Sequence, residues 1–316
     1  MSMLSSILWV LFCVCPTSIA TVLVSKLYIA NLVHDEKLFN EFLVLQRPSS
    51  SLVECASLCG PHCVYYGFNS KTKKCRIHSC SALVDAVEEA GWRYYASNDP
   101  DYKPKDCLAV YGTGHKCSGV YEIYPAGGAS TDVVCDMETK GGGWTLIQNR
   151  FEGSEGFFRD WQDYKSGFGS APGEYWIGND VIHELTKANT SSLYVTITLT
   201  NGTTLFELYE TFSISSEPDN YTLYIGGEAS GTLGNQMTET GYSHTDLNGM
   251  MFSTPDRDND RLDFSNCAFL LRGGWWFNAC HSAYLNGPYK IWHVLWDPPF
   301  RNTDKVQKTS MMIRRR

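Results

Sequence analysis

The stretch from Asp106 to Arg150, DCLAVYGTGHKCSGVYEIYPAGGASTDVVCDMETKGGGWTLIQNR, decides the fold of the larger part of this chain. It contains two cysteines and ends in a glycine run before an apolar segment. Three further motifs follow it in order: GEYWIGNDVIHELT at 173–186, DRDND at 256–260 and GGWWFNAC with LNG at 273–287. A single ordered series of this length predicts one domain over residues 106–316.

This series resembles the fibrinogen C-terminal domain of fibrinogen chains, ficolins, tachylectins, tenascins and angiopoietins. The resemblance covers about two thirds of the chain. It implies an α+β fold with a central antiparallel sheet, short helices and a loop-rich subdomain for calcium and ligand. It also implies two disulfides, Cys107 with Cys135 and Cys267 with Cys280.

Local patterns predict parts of that sheet. Leu193–Leu199 is typical of a strand, Asn201-Gly202 of a turn, and Thr204–Ile214 of the returning strand. Asn179 or Asp180 is expected to cap a short helix. From Gly226 onward, frequent Gly, Asn, Asp and Ser predict loops rather than regular structure.

The first 20 residues, MSMLSSILWVLFCVCPTSIA, are typical of a secretory signal peptide. Apolar residues continue to Lys26, so an uncleaved anchor stays an alternative. No other segment is apolar enough to span a membrane. Of twelve cysteines, two lie in the signal, and the remaining even number suits an oxidised secreted protein. Three triplets fit glycan acceptors: Asn189, Asn201 and Asn220.

Residues 21–97 form a separate, cysteine-dense segment that resembles PAN/apple domains. Helical spacing of Leu52, Cys55, Ala56 and Cys59 places cysteines along one apolar face. We expect Cys55 to pair with Cys75 and Cys59 with Cys63, although sequence alone does not fix connectivity. The polar stretch 98–105, with two prolines, is the predicted linker.

Two cysteines, Cys80 and Cys117, remain after these assignments. They either link the two domains within one chain or bridge two chains. The sequence contains no collagen-like or heptad repeat, so any homo-oligomer has to form by other means.

The run DRDND has the alternating carboxylates that suit Ca²⁺. The family resemblance implies Asp258 and Asp260 as ligands, together with the main-chain carbonyls of Leu262 and Phe264. Taken from composition alone, the run is a solvated acidic turn. It is not an EF-hand, because position six of the loop would be Arg261 instead of glycine.

The same resemblance implies an acetyl-binding pocket around Cys280. Ala279 and Cys280 would be joined by a cis peptide, His281 would line the pocket, and Trp276 would form an apolar wall unless it lies in the core. Two features depart from acetyl-binding relatives: Leu271 replaces a pocket tyrosine, and the stretch after LNG is short. Tyr289 rebuilds a pocket there or packs beneath the loop.

Several functions are excluded. A net charge of −8 argues against nucleic-acid binding, and no catalytic motif is present, so the protein is not predicted to be an enzyme. Two basic runs, KTKK at 71–74 and the arginines 314–316, are expected to be a solvated loop and a terminus. The leading hypothesis is a secreted lectin-like protein that binds glycans or acetylated surface groups with Ca²⁺, in innate recognition. The alternative is an extracellular ligand of a protein receptor, or a matrix adhesion factor.

Overall fold

A computed structural model describes residues 27–40, 42–59, 65–80, 86–98, 102–126, 129–188, 191–238, 241, 244–289, 296–297 and 306–316. The chain divides into two compact units. The first comprises 1–103, 109–117 and 140–142, and the second comprises 104–108, 118–139 and 143–316. The predicted signal peptide at 1–20 and residues 99–101 of the linker lie outside the described residues.

The first unit contains a five-stranded antiparallel sheet and one helix. Its strands are β1 (Leu27–Ala30), β3 (Leu43–Pro48), β4 (Tyr65–Asn69), β5 (Lys74–His78) and β7 (Trp92–Asn98), in the order β1-β7-β4-β5-β3. A smaller pair is formed by β2 (Lys37–Phe39) and β6 (Ala86–Glu88). Ser51 caps helix α1 (Leu52–Leu58) by accepting the Glu54 N–H at 3.1 Å.

Helix α1 is held on the sheet by a disulfide between Cys55 and Cys75. Cys55, Cys59 and Phe68 are buried together, with Leu52 and Ala56 packed against them. The helix therefore presents the apolar face that its spacing predicted. Cys59 is disulfide-bonded, and its predicted partner Cys63 lies outside the described residues.

Two further disulfides join cysteines between residues 80 and 135. Cys107 is bonded to Cys135, and Cys80 is bonded to Cys117 within the same chain. The bond between Cys80 and Cys117 is therefore within the chain and not a bridge between chains, and both cysteines belong to the first unit.

The second unit is built on a nine-stranded antiparallel sheet with short helices. Its main path is β11-β12-β10-β16-β13-β14-β15, and β9 joins β8 to β10. The strands are β8 (Gly119–Ile123), β9 (Thr131–Asp136), β10 (Trp144–Arg150), β11 (Phe168–Gly169), β12 (Tyr175–Trp176), β13 (Ser191–Leu199), β14 (Thr204–Ile214), β15 (Leu223–Gly231) and β16 (Val306–Arg315). Helix α2 (Cys107–Gly112) has residues of both units, and the helices of the second unit alone are α3 (Trp161–Ser166), α4 (Asn179–Thr186) and α5 (Cys267–Leu271).

The predicted hairpin is present as β13 and β14, with Asn201 and Gly202 in its turn. Strand β16 lies between β10 and β13, so the C-terminal run that includes Met311 belongs to the centre of the sheet. Residues 309–313 of this strand are buried, whereas Gln307 is exposed.

Two local predictions were wrong. Gly178 precedes α4, and no side chain caps that helix, because Asn179 already accepts the Trp176 indole N–H at 3.1 Å. Strand β15 also continues to Gly231, beyond the predicted start of the loops at Gly226, because backbone pairing with β14 extends to Glu207.

Candidate functional site

The candidate site lies in the loops between β15 and β16, where α5 is the only helix among the described residues. Ser253 and Trp275 exchange backbone hydrogen bonds of 2.8 and 3.1 Å, and Cys267 is bonded to Cys280. These links hold loops that have few ladder hydrogen bonds of their own. They bring the acidic run, α5 and the segment 278–281 together.

The acidic run folds into a tight turn around two carboxylates. Asp258 accepts the backbone N–H of Asp260 at 3.1 Å. Asp260 in turn accepts the N–H groups of Leu262 at 2.8 Å and Cys267 at 2.7 Å. Burial raises the pKa of Asp260, these two amides lower it, and the neighbouring Asp258 raises it. Two close carboxylates in a partly buried turn are favourable for a cation.

The donor set is compatible with calcium if main-chain oxygens complete it. In the described part of the chain, no group of three or more His, Cys, Asp or Glu side chains is placed to hold a metal. The carbonyl of Leu262 accepts the Ser265 N–H at 3.2 Å and keeps a second lone pair, while Phe264 is on the exposed side of the turn. The residues present therefore fit a Ca²⁺ site of two carboxylates and carbonyls.

The segment Ala279–His281 is connected directly to the acidic turn. Arg261 donates its N–H to the carbonyl of Asn278 at 3.0 Å, and Asn278 donates to the carbonyl of Cys280 at 2.9 Å. Ala279 donates to the carbonyl of His244 at 3.0 Å. Main-chain hydrogen bonds thus connect the acidic turn to this segment.

The expected cis peptide between Ala279 and Cys280 is not found; this bond is trans, and the one cis bond in the described residues is Ala171-Pro172. A cis bond that does not precede proline costs about 3–4 kcal/mol. Asn278 and Ala279 make their main-chain hydrogen bonds with a trans peptide bond. These hydrogen bonds therefore do not compensate for the cost of a cis bond.

His281 is half-buried beside two aromatic rings. Its ring centroid lies 5.9 Å from that of Phe277 and 5.1 Å from that of Tyr284. Both aromatic side chains are buried. Of these three residues His281 is the only one that is not buried, although the Nδ1 atom of its ring is.

The structure places Trp276 in the core, so the prediction of an apolar ligand wall at this residue was wrong. Its side chain has no solvent exposure, and its indole N–H donates to the carbonyl of Tyr221 at 2.8 Å. Its ring packs 5.2 Å from Phe252 and 5.1 Å from Trp275. A ring enclosed in this way offers no surface to a ligand.

Tyr289 packs beneath a loop, which is the second of its two predicted roles. Its hydroxyl lies 2.6 Å from the carbonyl of Phe151 and 2.7 Å from that of Gln307. Its ring is also close to Gly153, where an added Cβ would lie 2.6 Å from the tyrosine. Tyr289 thus fastens the end of the 285–289 segment to the loop after β10.

Sequence reasoning missed a buried pair of charges behind this segment. Arg150 donates to the carbonyls of Leu285 and Gly287. Glu174 accepts four backbone N–H groups, from residues 151, 152, 153 and 155, at 2.5–3.0 Å. Burial raises the pKa of Glu174, but the four amides hold it below its usual value. Both side chains lie in quoted motifs, yet their partners are distant backbone atoms that no local pattern reveals.

An exposed apolar surface flanks the acidic turn. We call it the aromatic patch; it consists of Phe158, Phe264, Phe269 and Leu270, which are 46%, 86%, 61% and 51% exposed. Phe158 and Phe269 lie 6.4 Å apart between ring centroids. The Arg272 guanidinium lies 5.3 Å from the centre of the Phe158 ring. Large side chains of this kind are usually buried when they have no partner.

Two of the three predicted glycan acceptors lie in the described residues. Asn201 is exposed in the turn between β13 and β14. Asn220 is half-buried; its oxygen accepts from Arg257 at 2.5 Å, and its nitrogen is 3.3 Å from the Met251 sulfur. Asn201 therefore offers more room for a glycan. Asn189 lies outside the described residues.

The second unit thus combines an antiparallel sheet with a loop-built face that is held by a disulfide. The family model of the C-terminal globular domain of fibrinogen beta and gamma chains matches residues 103–316, and the chain belongs to this family. Fibroleukin, angiopoietins and angiopoietin-like proteins are non-enzymatic ligand-binding proteins, and the predicted absence of an enzyme activity is confirmed on that ground.

Individual relatives are similar over the same region. Human fibroleukin is 44% identical over 186 residues, which are 58% of this chain and 42% of fibroleukin. Bovine microfibril-associated glycoprotein 4 is 46% identical over 192 residues, 59% of this chain and 72% of the relative. Bovine angiopoietin-4 is 41% identical over 223 residues, 66% of this chain and 42% of the relative. The chain thus spans less than half the length of fibroleukin and angiopoietin-4.

Solved structures show the same likeness. The fibrinogen-like globe domain of human ANGPTL6 has a TM-score of 0.61 at 36% identity, and covers 69% of this chain and 98% of that domain. Lamprey fibrin D-dimer, complexed with the peptide Gly-His-Arg-Pro-amide, has a TM-score of 0.61 at 34% identity, with 68% and 74% coverage. Fibroleukin, microfibril-associated glycoprotein 4 and angiopoietin are secreted or extracellular. In the described residues, no helix is long and apolar enough to cross a membrane.

Proposed function

We propose that this protein is a secreted recognition protein that binds an extracellular protein receptor through the loops between β15 and β16. The aromatic patch is the observation that carries this proposal. Contiguous exposed apolar surface marks interaction sites on proteins that are otherwise soluble. Aromatic residues and arginine are enriched in such interfaces, and Arg272 beside Phe158 adds this combination.

Calcium has a structural role in this proposal. Asp258 and Asp260, with the carbonyls of Leu262 and Phe264, would hold Ca²⁺. The bound cation would neutralise the two carboxylates and fix the turn that ends at Phe264. Since Arg261 connects this turn to Asn278, the cation also orders the segment 279–281. Binding of receptor would therefore depend on calcium without direct contact to the metal.

Calcium is expected to raise the melting temperature of the wild-type protein in proportion to the logarithm of its concentration. A ligand at 100 times its Kd stabilises the folded state by about 2.7 kcal/mol. The double variant Asp258→Asn/Asp260→Asn should lose this shift. Asp263→Gln, at an exposed neighbour, is the matched control and should keep it, because glutamine removes the carboxylate without creating a glycan acceptor. Equal melting curves of the wild type with calcium and with chelator would reject the calcium site.

A second candidate is binding of an acetylated glycan at Ala279, Cys280 and His281. The half-buried residue His281 beside buried Phe277 and Tyr284 favours it, because a small group there would meet a polar ring next to apolar ones. The burial of Trp276 and the trans peptide between Ala279 and Cys280 argue against it, so we rank it below the receptor hypothesis.

The two candidates predict different sensitive residues. We expect Phe264→Ser/Phe269→Ser to abolish calcium-dependent binding to cells, because these rings are 86% and 61% exposed and contribute little to folding. His281→Ala should retain it. Trypsin treatment of the cells should remove binding, whereas periodate oxidation of their glycans should not.

The opposite pattern would favour the glycan candidate. Binding to immobilised N-acetylated sugars that is lost in His281→Ala and retained in Phe264→Ser/Phe269→Ser would overturn the receptor hypothesis. All variants would first be matched to the wild type by melting temperature, so that lost binding is not due to unfolding.

We also propose that the first unit is a PAN/apple-like domain. The helix that carries Cys55, the bond to Cys75 and the five-stranded sheet support this assignment. Its partner would be distinct from the receptor of the second unit. Homo-oligomer formation, if it occurs, would raise avidity without new contacts at either site.

A further inference from the structure

The two basic runs of the sequence differ in the structure. The arginines at the C-terminus are all engaged: Arg314 lies 4.4 Å from the Trp144 ring centre, Arg315 pairs with Asp106 at 3.6 Å, and Arg316 pairs with Glu210 at 3.1 Å. The lysines Lys71, Lys73 and Lys74 are exposed, and none has a carboxylate within 4.0 Å in the described part of the chain. Only the lysine run at 71–74 offers positive charge that no carboxylate neutralises.

These lysines project from a turn with a fixed backbone. Asn69, which is fully buried, accepts the N–H groups of Lys71 and Thr72, each at 2.9 Å. Its main-chain carbonyl accepts the Lys73 N–H at 2.9 Å, and its amide donates to the carbonyl of Ala90 at 3.2 Å. The turn between β4 and β5 is therefore preorganised, so a ligand need not order its backbone.

Two arginines extend this charge across the sheet. Arg47, Cys75, Phe68 and Arg93 are successive register partners on β3, β5, β4 and β7. Directly opposed residues in an antiparallel sheet share a face, so both arginines lie on the side of the sheet to which the bond between Cys55 and Cys75 holds helix α1. Three strand spacings place their backbones about 14 Å apart. The Lys73 ammonium lies 5.9 Å from the centre of the Phe68 ring, between them.

Acidic residues leave most of this charge available. Arg93 lies 4.0 Å from Asp35, but 70% of its side chain is exposed. Glu54 interacts electrostatically with Arg47 and is the second acid near these cations. Lys74 directly precedes Cys75 on β5, so it lies on the opposite side of the sheet. We call Arg47, Lys71, Lys73 and Arg93 the basic face; these four cations outnumber the two acids.

We propose that the basic face binds a sulfated polysaccharide, at a site separate from the loops of the second unit. A row of cations about 14 Å long suits a linear polyanion better than a single small anion. Phe68 at the centre of the row is only 8% exposed, so it offers no ring for stacking bases or for insertion into a bilayer. Sulfate esters on a flexible sugar chain can be bound by positive charge without an exposed aromatic ring.

The test compares the full-length secreted protein with a variant of the turn on immobilised and soluble heparin. Lys71→Gln/Lys73→Gly removes two charges. Glycine suits the positive φ of 54° at position 73, and glutamine at 71 creates no new glycan acceptor after Asn69. Arg315→Ser/Arg316→Ser is the control with equal charge loss.

We expect the turn variant to bind heparin about tenfold or more weakly, and the slope of log Kd against log salt to fall by roughly one per lysine removed. The arginine control should bind as the wild type does, and desulfated heparin should not bind. Unchanged affinity of the turn variant, equal losses in both variants, or binding to anionic lipid vesicles or DNA in place of heparin would overturn the proposal. Melting temperatures of both variants would show that folding is retained.

Discussion

Replacing Glu174 with alanine is expected to lower the free energy of unfolding of the second unit by about 3–5 kcal/mol. Hydrogen bonds to charged groups contribute about 1.5–3 kcal/mol each, and Glu174 accepts four from the backbone of residues 151–155. The total is less than their sum, because part of that loop is exposed and becomes hydrated. The buried Arg150 would also lose a compensating charge nearby.

Chemical denaturation measures this effect, and Glu152→Ala is the matched control. Glu152 is an exposed acid in the same loop, so its loss should change stability by no more than about 0.5 kcal/mol. Similar stabilities for Glu174→Ala and the wild type would show that the four amides find other acceptors, and that Glu174 does not hold the loop beneath Tyr289.

The stabilisation by Glu174 should depend on pH. The amides hold its pKa in the folded state below the unfolded value. Its contribution is therefore present above a pH of about 4.3 and is lost as the pH falls through the folded pKa. Glu174→Gln keeps the shape without the charge. The difference in unfolding free energy between the wild type and this variant should shrink below pH 4.3, and a constant difference down to pH 2 would contradict this assignment.

The sequence predicted the frame of the fold because its signals are local or belong to the family. The hairpin of β13 and β14 follows from two β-rich runs around Asn201-Gly202, and a helix through Cys55 follows from apolar spacing. The cap of α4 was predicted wrongly, since the Asn179 side chain bonds to a buried tryptophan instead of a helix N–H. Competition of this kind depends on tertiary contacts that a short pattern does not contain.

The site was less predictable because it depends on exposure and on distant main-chain atoms. Composition marked Trp276 and Phe264 alike as large apolar residues, yet the first is fully buried and the second is 86% exposed. The basic runs were equivalent in sequence, and only the positions of Asp106, Glu210 and Trp144 separate them. Charge and apolar content indicate which residues can bind, whereas the fold decides which of them are available.

Replacing Trp276 distinguishes a residue of the core from a residue that lines a ligand pocket. We expect Trp276→Ala to reduce the free energy of unfolding by about 3–5 kcal/mol, the usual loss for a buried aromatic. The cavity would open against Phe252 and Trp275, and the Tyr221 carbonyl would lose its donor. Denaturation of the oxidised protein measures this loss.

Trp276→Phe separates the two contributions. It keeps most of the apolar contact but removes the indole N–H, so the expected loss is about 1–3 kcal/mol, the cost of a buried carbonyl without its donor plus a smaller cavity. A residue that only lined a ligand pocket would behave differently: Trp276→Ala would then retain its stability and lose binding. Because Trp276 packs between the sheet and the loops that carry Asn278, we expect stability to fall first, with binding lost only in the fraction of molecules that unfold.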